Sequence, residues 1–205
     1  IDLIPSDTNA APDAFAHDRD TGGTTRVSVA SDGAEGNYDS WRSSLSRDGR
    51  FVAFVSAASN LVPGDTDAGL VFGPGLDVFV HDRLTGETER VNVAADGTQD
   101  DVGSGLLHEG GRAISADGRF VAFLSRGRTL VPGPDGLWFS SLFVKDRLTG
   151  AVKWVSPAAD GGQATGFLDE FSLSTNGDFV VFASDAADHV PGDTQECEGL
   201  SCVDI

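Results

Sequence analysis

Apolar and polar positions along the chain fall into short runs, and the runs recur. The sharpest reads Ser-Arg-Asp-Gly-Arg-Phe-Val-Ala-Phe-Val-Ser from Ser46, with counterparts beginning at Ser115 and Ser174. Each copy is a strand end, a two-residue turn on Asp-Gly or Asn-Gly, and an apolar run. Such a turn between apolar segments predicts a hairpin, because a type I′ turn needs positive φ at both central residues. The apolar strands expected here are Phe51–Ser56, Phe120–Ser125 and Phe179–Ser184. Alternation within them is poor, so both faces should be buried.

Three further phrases recur: Val-Pro-Gly-Asp-Thr-like loops from Leu3, Leu61, Leu130 and His189; Asp-Arg-x-Thr-Gly from Asp18, Asp82 and Asp146; and Val-x-x-Ala-x-Asp-Gly from Val27, Val91 and Val155. The last two recur at 64 residues, so the unit is constant in length and its insertions are confined to particular loops. Each unit reads as four strands, as in Arg42–Ser46, Phe51–Ser56, Asp77–Asp82 and Glu89–Ala94. A tandem four-stranded unit buried on both faces, with no helical periodicity, predicts an all-β chain of β-propeller blades. The expected blades are a half-blade in residues 1–30 (strands three and four), full blades in 40–94 and 111–156, and a half-blade in 170–205 (strands one and two). That is about three blades, either a segment of a longer array or copies completing one another. The repeat phrases resemble those of the TolB-type, WD-repeat-like propellers of secreted bacterial and archaeal proteins. The resemblance implies the fold and an extracellular or cell-surface setting, with periplasm as the alternative. It says little about function, because scaffolds and enzyme-attached domains share it.

Charge narrows the partners. The net charge of −18 opposes nucleic acid and anionic membrane surfaces. No apolar run reaches the length of a membrane span. Two readings of the acidity stay open, solubility or cation binding. The loops after Val-Pro-Gly carry the candidate ligands: Asp7, Asn9 and Asp13; Asp65, Asp67 and Asp77; Asp193, Gln195 and Asp204. Ca²⁺ takes six to eight oxygens from such loops; the other reading is an Asx-turn that caps its own backbone. The third unit has Pro134 and Ser141 where the acids stand and should hold no ion.

Other candidates follow from exposure and spacing. Tyr38 and Trp41, expected in one inter-blade loop, and Leu137, Trp138 and Phe139 in another are candidate contacts for a partner or a glycan, or else plugs of the propeller. Cys197 and Cys202 read as a short-range disulfide, or as two free thiols. His17, His81 and Lys145 share one repeat position. A site that accepts Lys is no catalytic base, and these are expected to be solvated blade-edge residues. Asp-Arg of the Asp-Arg-x-Thr-Gly phrase reads as structural, the Asp accepting turn amides and the Arg reaching a neighbouring blade. No nucleophile elbow, zinc motif or phosphate loop is present. The expectation is a non-enzymatic extracellular structural or interaction module, Ca²⁺-stabilised and self-associating or part of a larger assembly. The alternatives are a carbohydrate-binding propeller and a propeller glycosidase or lyase.

Overall fold

A computed structural model describes residues 4, 7–65, 75–102, 104–105, 111–127, 129–131 and 139–192. Among them every regular element is a strand. Four antiparallel sheets follow one another along the chain. The first is a ribbon of β1 (Phe15–His17) and β2 (Thr24–Arg26). The second holds β3 (Ser40–Leu45), β4 (Phe51–Ser56), β5 (Asp77–Asp82) and β6 (Thr88–Arg90), in that spatial order. The third holds β7 (Ser104–Gly105), β8 (Phe120–Ser125), β9 (Ser141–Asp146) and β10 (Val152–Trp154), and the fourth pairs β11 (Leu168–Leu173) with β12 (Val180–Ser184). These are β-propeller blades in the strand order the repeat predicts. The fourth strands are shorter than expected. The Val-x-x-Ala-x-Asp-Gly phrases leave the sheet and close as small turns, where Ala30 N–H donates to Ala34 O and Ala94 N–H to Thr98 O, both at 2.8 Å.

Strand two is buried on both sides because a blade lies on each. Val52 and Phe54 pack with Phe79 against Ala14 and Val27 of the preceding ribbon. Ala53, Val55, Val78 and Val80 share a second cluster with Val121 and Phe123 of the following blade, which continues to Leu168, Phe171 and Leu173. Phe54 stacks on Phe79 and Phe123 on Phe143, the same cross-strand pair in both blades. Each fully buried Phe contributes roughly 1.5–3 kcal/mol.

Strand one carries a bulge. The β3–β4 register shifts between Trp41 and Ser44, with Arg42 at φ 53°, and β11–β12 shifts between Leu168 and Phe171. In the third sheet the strand resumes only at the bridge from Ile114 to Val121. Ser104 stands eleven positions before Ser115, where Ser40 stands six before Ser46. The extra residues therefore enter strand one at the bulge, where the ladder is already interrupted. The long inter-blade loop expected over residues 95–110 is shorter than that, since Ser104 is already paired with Ser125.

Neighbouring blades are fastened at three levels. The hairpin turns form a ladder, Arg47 N–H to Ala116 O at 3.2 Å and Ala116 N–H to Thr175 O at 2.8 Å. Below it, the hairpin glycine of one blade seats the phenylalanine of the blade before: a Cβ on Gly118 would lie 2.1 Å from the Phe51 ring, and one on Gly177 would lie 2.3 Å from Phe120. The third level corrects an expectation. His81 and Lys145 are not solvated but 6% exposed, because strand three is interior to the sheet and their side chains lie on the face covered by the preceding blade. Lys145 Nζ donates to Val93 O and Gly150 O at 2.9 Å. His81 Nδ1 lies 2.9 Å from Thr88 Oγ1, which donates to Val29 O of the preceding unit. Burial lowers the pKa of both His81 and Lys145. His17, at the same position in the first ribbon, is exposed.

The Asp-Arg turns are structural in the way the repeat suggested. Asp146 accepts Nε and Nη2 of Arg119 at 2.9 and 2.7 Å and the Leu148 amide at 3.0 Å. Asp82 does the same with Arg50 and Leu84. The arginine bonds hold both carboxyls well below the usual carboxylate range. A carboxyl with a depressed folded pKa stabilises above its unfolded pKa of about 4 and loses that contribution as pH falls through the folded value. Asp146→Asn is accordingly expected to lower the melting temperature at pH 7, with the gap to the parent narrowing below pH 4 in a pH series of melts. A gap that stays constant would show that the carboxylate charge contributes nothing.

Candidate functional site

The first predicted ion loop lies among the described residues, as do Asp65 and Asp77 of the second, and in both an arginine stands among the acids. In the first unit Asp7 and Asp13 come together with Glu35, a residue not anticipated from the loop phrase. Ligand oxygens of the three lie within 4.8 Å of one another, a set suited to a cation. The cation within reach is Arg26. Its Nε lies 2.9 Å from Asp13 Oδ2, Nη1 2.5 Å from Glu35 Oε1 and Nη2 3.4 Å from Asp7 Oδ1, with the arginine side chain 6% exposed. Asn9 is turned to other work: its amide donates to Gly36 O and its carbonyl accepts the Ala11 amide, both at 2.7 Å. That is the Asx-type alternative realised at Asn9.

The second unit repeats the arrangement. Arg90 Nη1 lies 3.3 Å from both Asp65 and Asp77, and Asn92 donates to Asp77 Oδ1 at 2.5 Å. The repeat explains why arginine and acids occur together. Arg26 and Arg90 precede the third phrase in their units, and the equivalent residue of the third unit is Trp154. That unit also has Pro134 and Ser141 for the two loop acids, so cation and anions are lost together, whereas the position of Glu35 is already Gln99 in the second unit. Trp154 instead packs on the large apolar cluster. Asp67, Asp193, Gln195 and Asp204 lie outside the described residues, as do Leu137, Trp138, Cys197 and Cys202.

Protonation follows the packing. Burial pushes the Asp13 carboxyl up, opposed by the Ser28 hydroxyl and by Arg26. For Glu35 burial also acts upward, but hydrogen bonds from the Thr8 hydroxyl and amide, with Arg26, outweigh it and the net direction is down.

A different acid stands apart. Asp100 is 1% exposed, in the link between the two complete blades. It accepts hydroxyl bonds from Ser104 at 2.7 Å and from Ser125, with Thr129 at 3.4 Å. Among the described residues no ion pair includes it. Burial raises its pKa. Asp100 fits because Gly127 faces it: a Cβ there would lie 1.4 Å from Asp100 Oδ1. The same repeat position holds Gly36, facing Ala58, in the preceding link. Nothing local in the sequence singles out Asp100, since burial at one junction leaves no mark in the repeat beyond the paired change to Gly127. An acid with a raised folded pKa loses stability as pH rises through that value. Asp100→Asn is therefore expected to stabilise the chain at pH 7–8 by about 1 kcal/mol and to leave it unchanged at pH 3. Melts at the two pH values check this, and destabilisation at both would refute it.

The aromatic candidates divide. Trp41 lies in β3 rather than in an inter-blade loop; it pairs with Val55 and packs against the large cluster. It is drawn into the sheet because strand one starts at Ser40, so its ring has the apolar face of the blade beside it. Tyr38 is 54% exposed. Phe139 makes an edge contact with Phe167 at 5.2 Å, and its carbonyl accepts Gln163 Nε2 at 2.8 Å.

No known protein-family description matches the chain, and no curated protein matches it in sequence. Among solved structures it is similar to the tricorn protease, at 11% identity and a TM-score of 0.50 over 88% of this chain. The chain spans 14% of that protein's length. At this identity the likeness concerns the fold alone, and it agrees with a β-propeller-like arrangement of the blades.

Proposed function

We propose that this chain is a structural and interaction module, a run of propeller blades that stacks on further blades and presents its loops, in an extracellular or cell-surface setting of the TolB-like kind. One observation carries this reading. The groups best suited to chemistry are committed to structure: Arg26 and Arg90 hold the acidic loops of their own units, Lys145 reaches carbonyls that include Val93 of the preceding unit, and His81 meets the threonine that bridges to the preceding unit. Exposed apolar side chains meanwhile gather at the hairpin of the last described sheet, where Phe179 is 73% and Val181 67% exposed. Their counterparts Phe51 and Ala53 are half-buried and buried under the next blade. Faces of this kind associate, with other copies or with further blades. The resident cation of the first two acidic loops is arginine by this proposal, with Ca²⁺ as the competing occupant. The test has two parts. Sedimentation or light scattering should show association that weakens on Val181→Glu; a monomer unaffected by that change would remove the interaction reading. A melting midpoint unchanged by chelator supports the arginine, and a lowered midpoint restores a structural Ca²⁺.

A further inference from the structure

A cavity of about 330 Å³ opens between the third sheet and the β11–β12 sheet, with Phe120, Asp146, Lys153, Gly177 and Asp178 in its wall. The preceding junction shows what belongs there. At the corresponding place between the second and third sheets lies Arg147, from the Asp-Arg turn of the later blade. Its guanidinium carbon is 4.6 Å from the centroid of Phe51, the counterpart of Phe120. It donates to the carbonyl of Gly118, the counterpart of Gly177, and pairs with Glu89 of the earlier blade. Arg83 makes the same kind of bond to Gly49 O at 2.8 Å. Arg147 is thus a plug received by a hairpin carbonyl, a phenylalanine ring and an acid together, and the carbonyl bond recurs at Arg83.

At the open junction the receiving parts are present in altered form. Phe120 already has Arg119 4.7 Å from its centroid, as Phe51 has Arg50 at 4.6 Å. Among the described residues no arginine donates to Gly177 O. The acid has changed place: Lys153 stands where Glu89 stood, and Asp178 stands where Arg50 and Arg119 stand in the other hairpins. Asp178 accepts one bond from the Asn176 side chain and is otherwise exposed at the rim. The Asp178 charge therefore replaces that of Glu89 for an incoming cation.

We infer that this cavity is a receptor for an arginine side chain, delivered by an Asp-Arg turn of this repeat type that docks beside the β11–β12 sheet, as the turn of Arg147 belongs to the same sheet as Gly118. A guanidinium suits it because a planar cation can lie against a ring while its N–H groups reach a carbonyl and a carboxylate; an ammonium lacks that fork. The inference rests on the reading of the chain as an interaction module and names the chemistry of one contact.

The test uses the whole chain and a hairpin peptide copying residues 144–152, which carries the turn with Arg147, titrated by calorimetry or NMR. Saturable binding is expected, weakened at least tenfold when citrulline replaces the arginine, and weakened severalfold by Asp178→Asn. Shifts should centre on Phe120 and Gly177. Equal binding of the arginine and citrulline peptides, or no binding of either, would overturn the inference. If the chain still associates through Val181 while the citrulline peptide binds as well as the arginine one, the interaction reading stands and only this receptor falls.

Discussion

Arg26→Ala is expected to destabilise the chain by about 3–5 kcal/mol, because it leaves buried carboxylates without their counter-charge. Asp13 has a fully buried side chain, and Asp7 and Glu35 are only 21% and 14% exposed. Removing the guanidinium leaves mutual repulsion and an unrelieved desolvation cost. Arg26→Lys should recover only part of the loss, since a single ammonium cannot address three carboxylates arranged around a planar fork. The same variant is informative about metal. With the guanidinium gone, the three carboxylates form an acidic pocket open to a divalent ion, and millimolar Ca²⁺ should return some of the lost stability to Arg26→Ala while leaving the parent unchanged. Thermal melts of both proteins with Ca²⁺ and with chelator check this. A parent that loses stability in chelator would show that ion and arginine act together; an Arg26→Ala protein as stable as the parent would show that the cluster contributes nothing net.

The second large effect concerns the seat beneath Phe51. Gly118 combines φ +75° with a ring where its Cβ would be. Gly118→Ala therefore incurs two penalties, about 1–2 kcal/mol for the left-handed backbone and about 1–3 kcal/mol for displacing a packed ring. A loss of about 2–5 kcal/mol is expected. Gly97→Ala is the matched control, at φ +87° with nothing within 4 Å, and should lose only the backbone part. Denaturant unfolding of the two variants separates the terms. Equal losses would show that Phe51 shifts without cost and that the hairpin glycines are kept for their turns alone. The seat also explains the arginine plug, since Phe51 can lie flat enough to receive Arg147 only where no side chain rises from Gly118.

Much of the fold was legible along the chain because strand pattern and turn chemistry are local. The hairpins stand where Asp-Gly and Asn-Gly predict them, but not as two-residue type I′ turns: within them only Gly49, Gly118 and Gly177 take positive φ, and Ser46 N–H donates to Phe51 O across a four-residue loop. Phe51–Ser56, Asp77–Asp82 and Phe120–Ser125 are strands at the boundaries the repeat predicts. The constant 64-residue spacing implied identical blades, and burial on both faces of strand two implied a neighbour on each side. Asp7 with Asp13, and Asp65 with Asp77, were likewise legible as acids gathered by one loop.

What only the tertiary structure decided is who answers those acids, and which polar residues lie between blades. Arg26 and Glu35 stand far from Asp7 in sequence, and nothing local says that a guanidinium lies among them rather than in solvent. His81 and Lys145 look like surface residues on their own strand; they are buried because a neighbouring blade covers that face, supplying Val93 O to Lys145 and Val29 O to the Thr88 that His81 meets. Asp100 is one acid among many until Gly127 makes room for it. Each case has the same physical reason. Turns and strand faces are set by the backbone preferences of consecutive residues, whereas charge pairing and desolvation depend on what another blade brings to within a few ångströms.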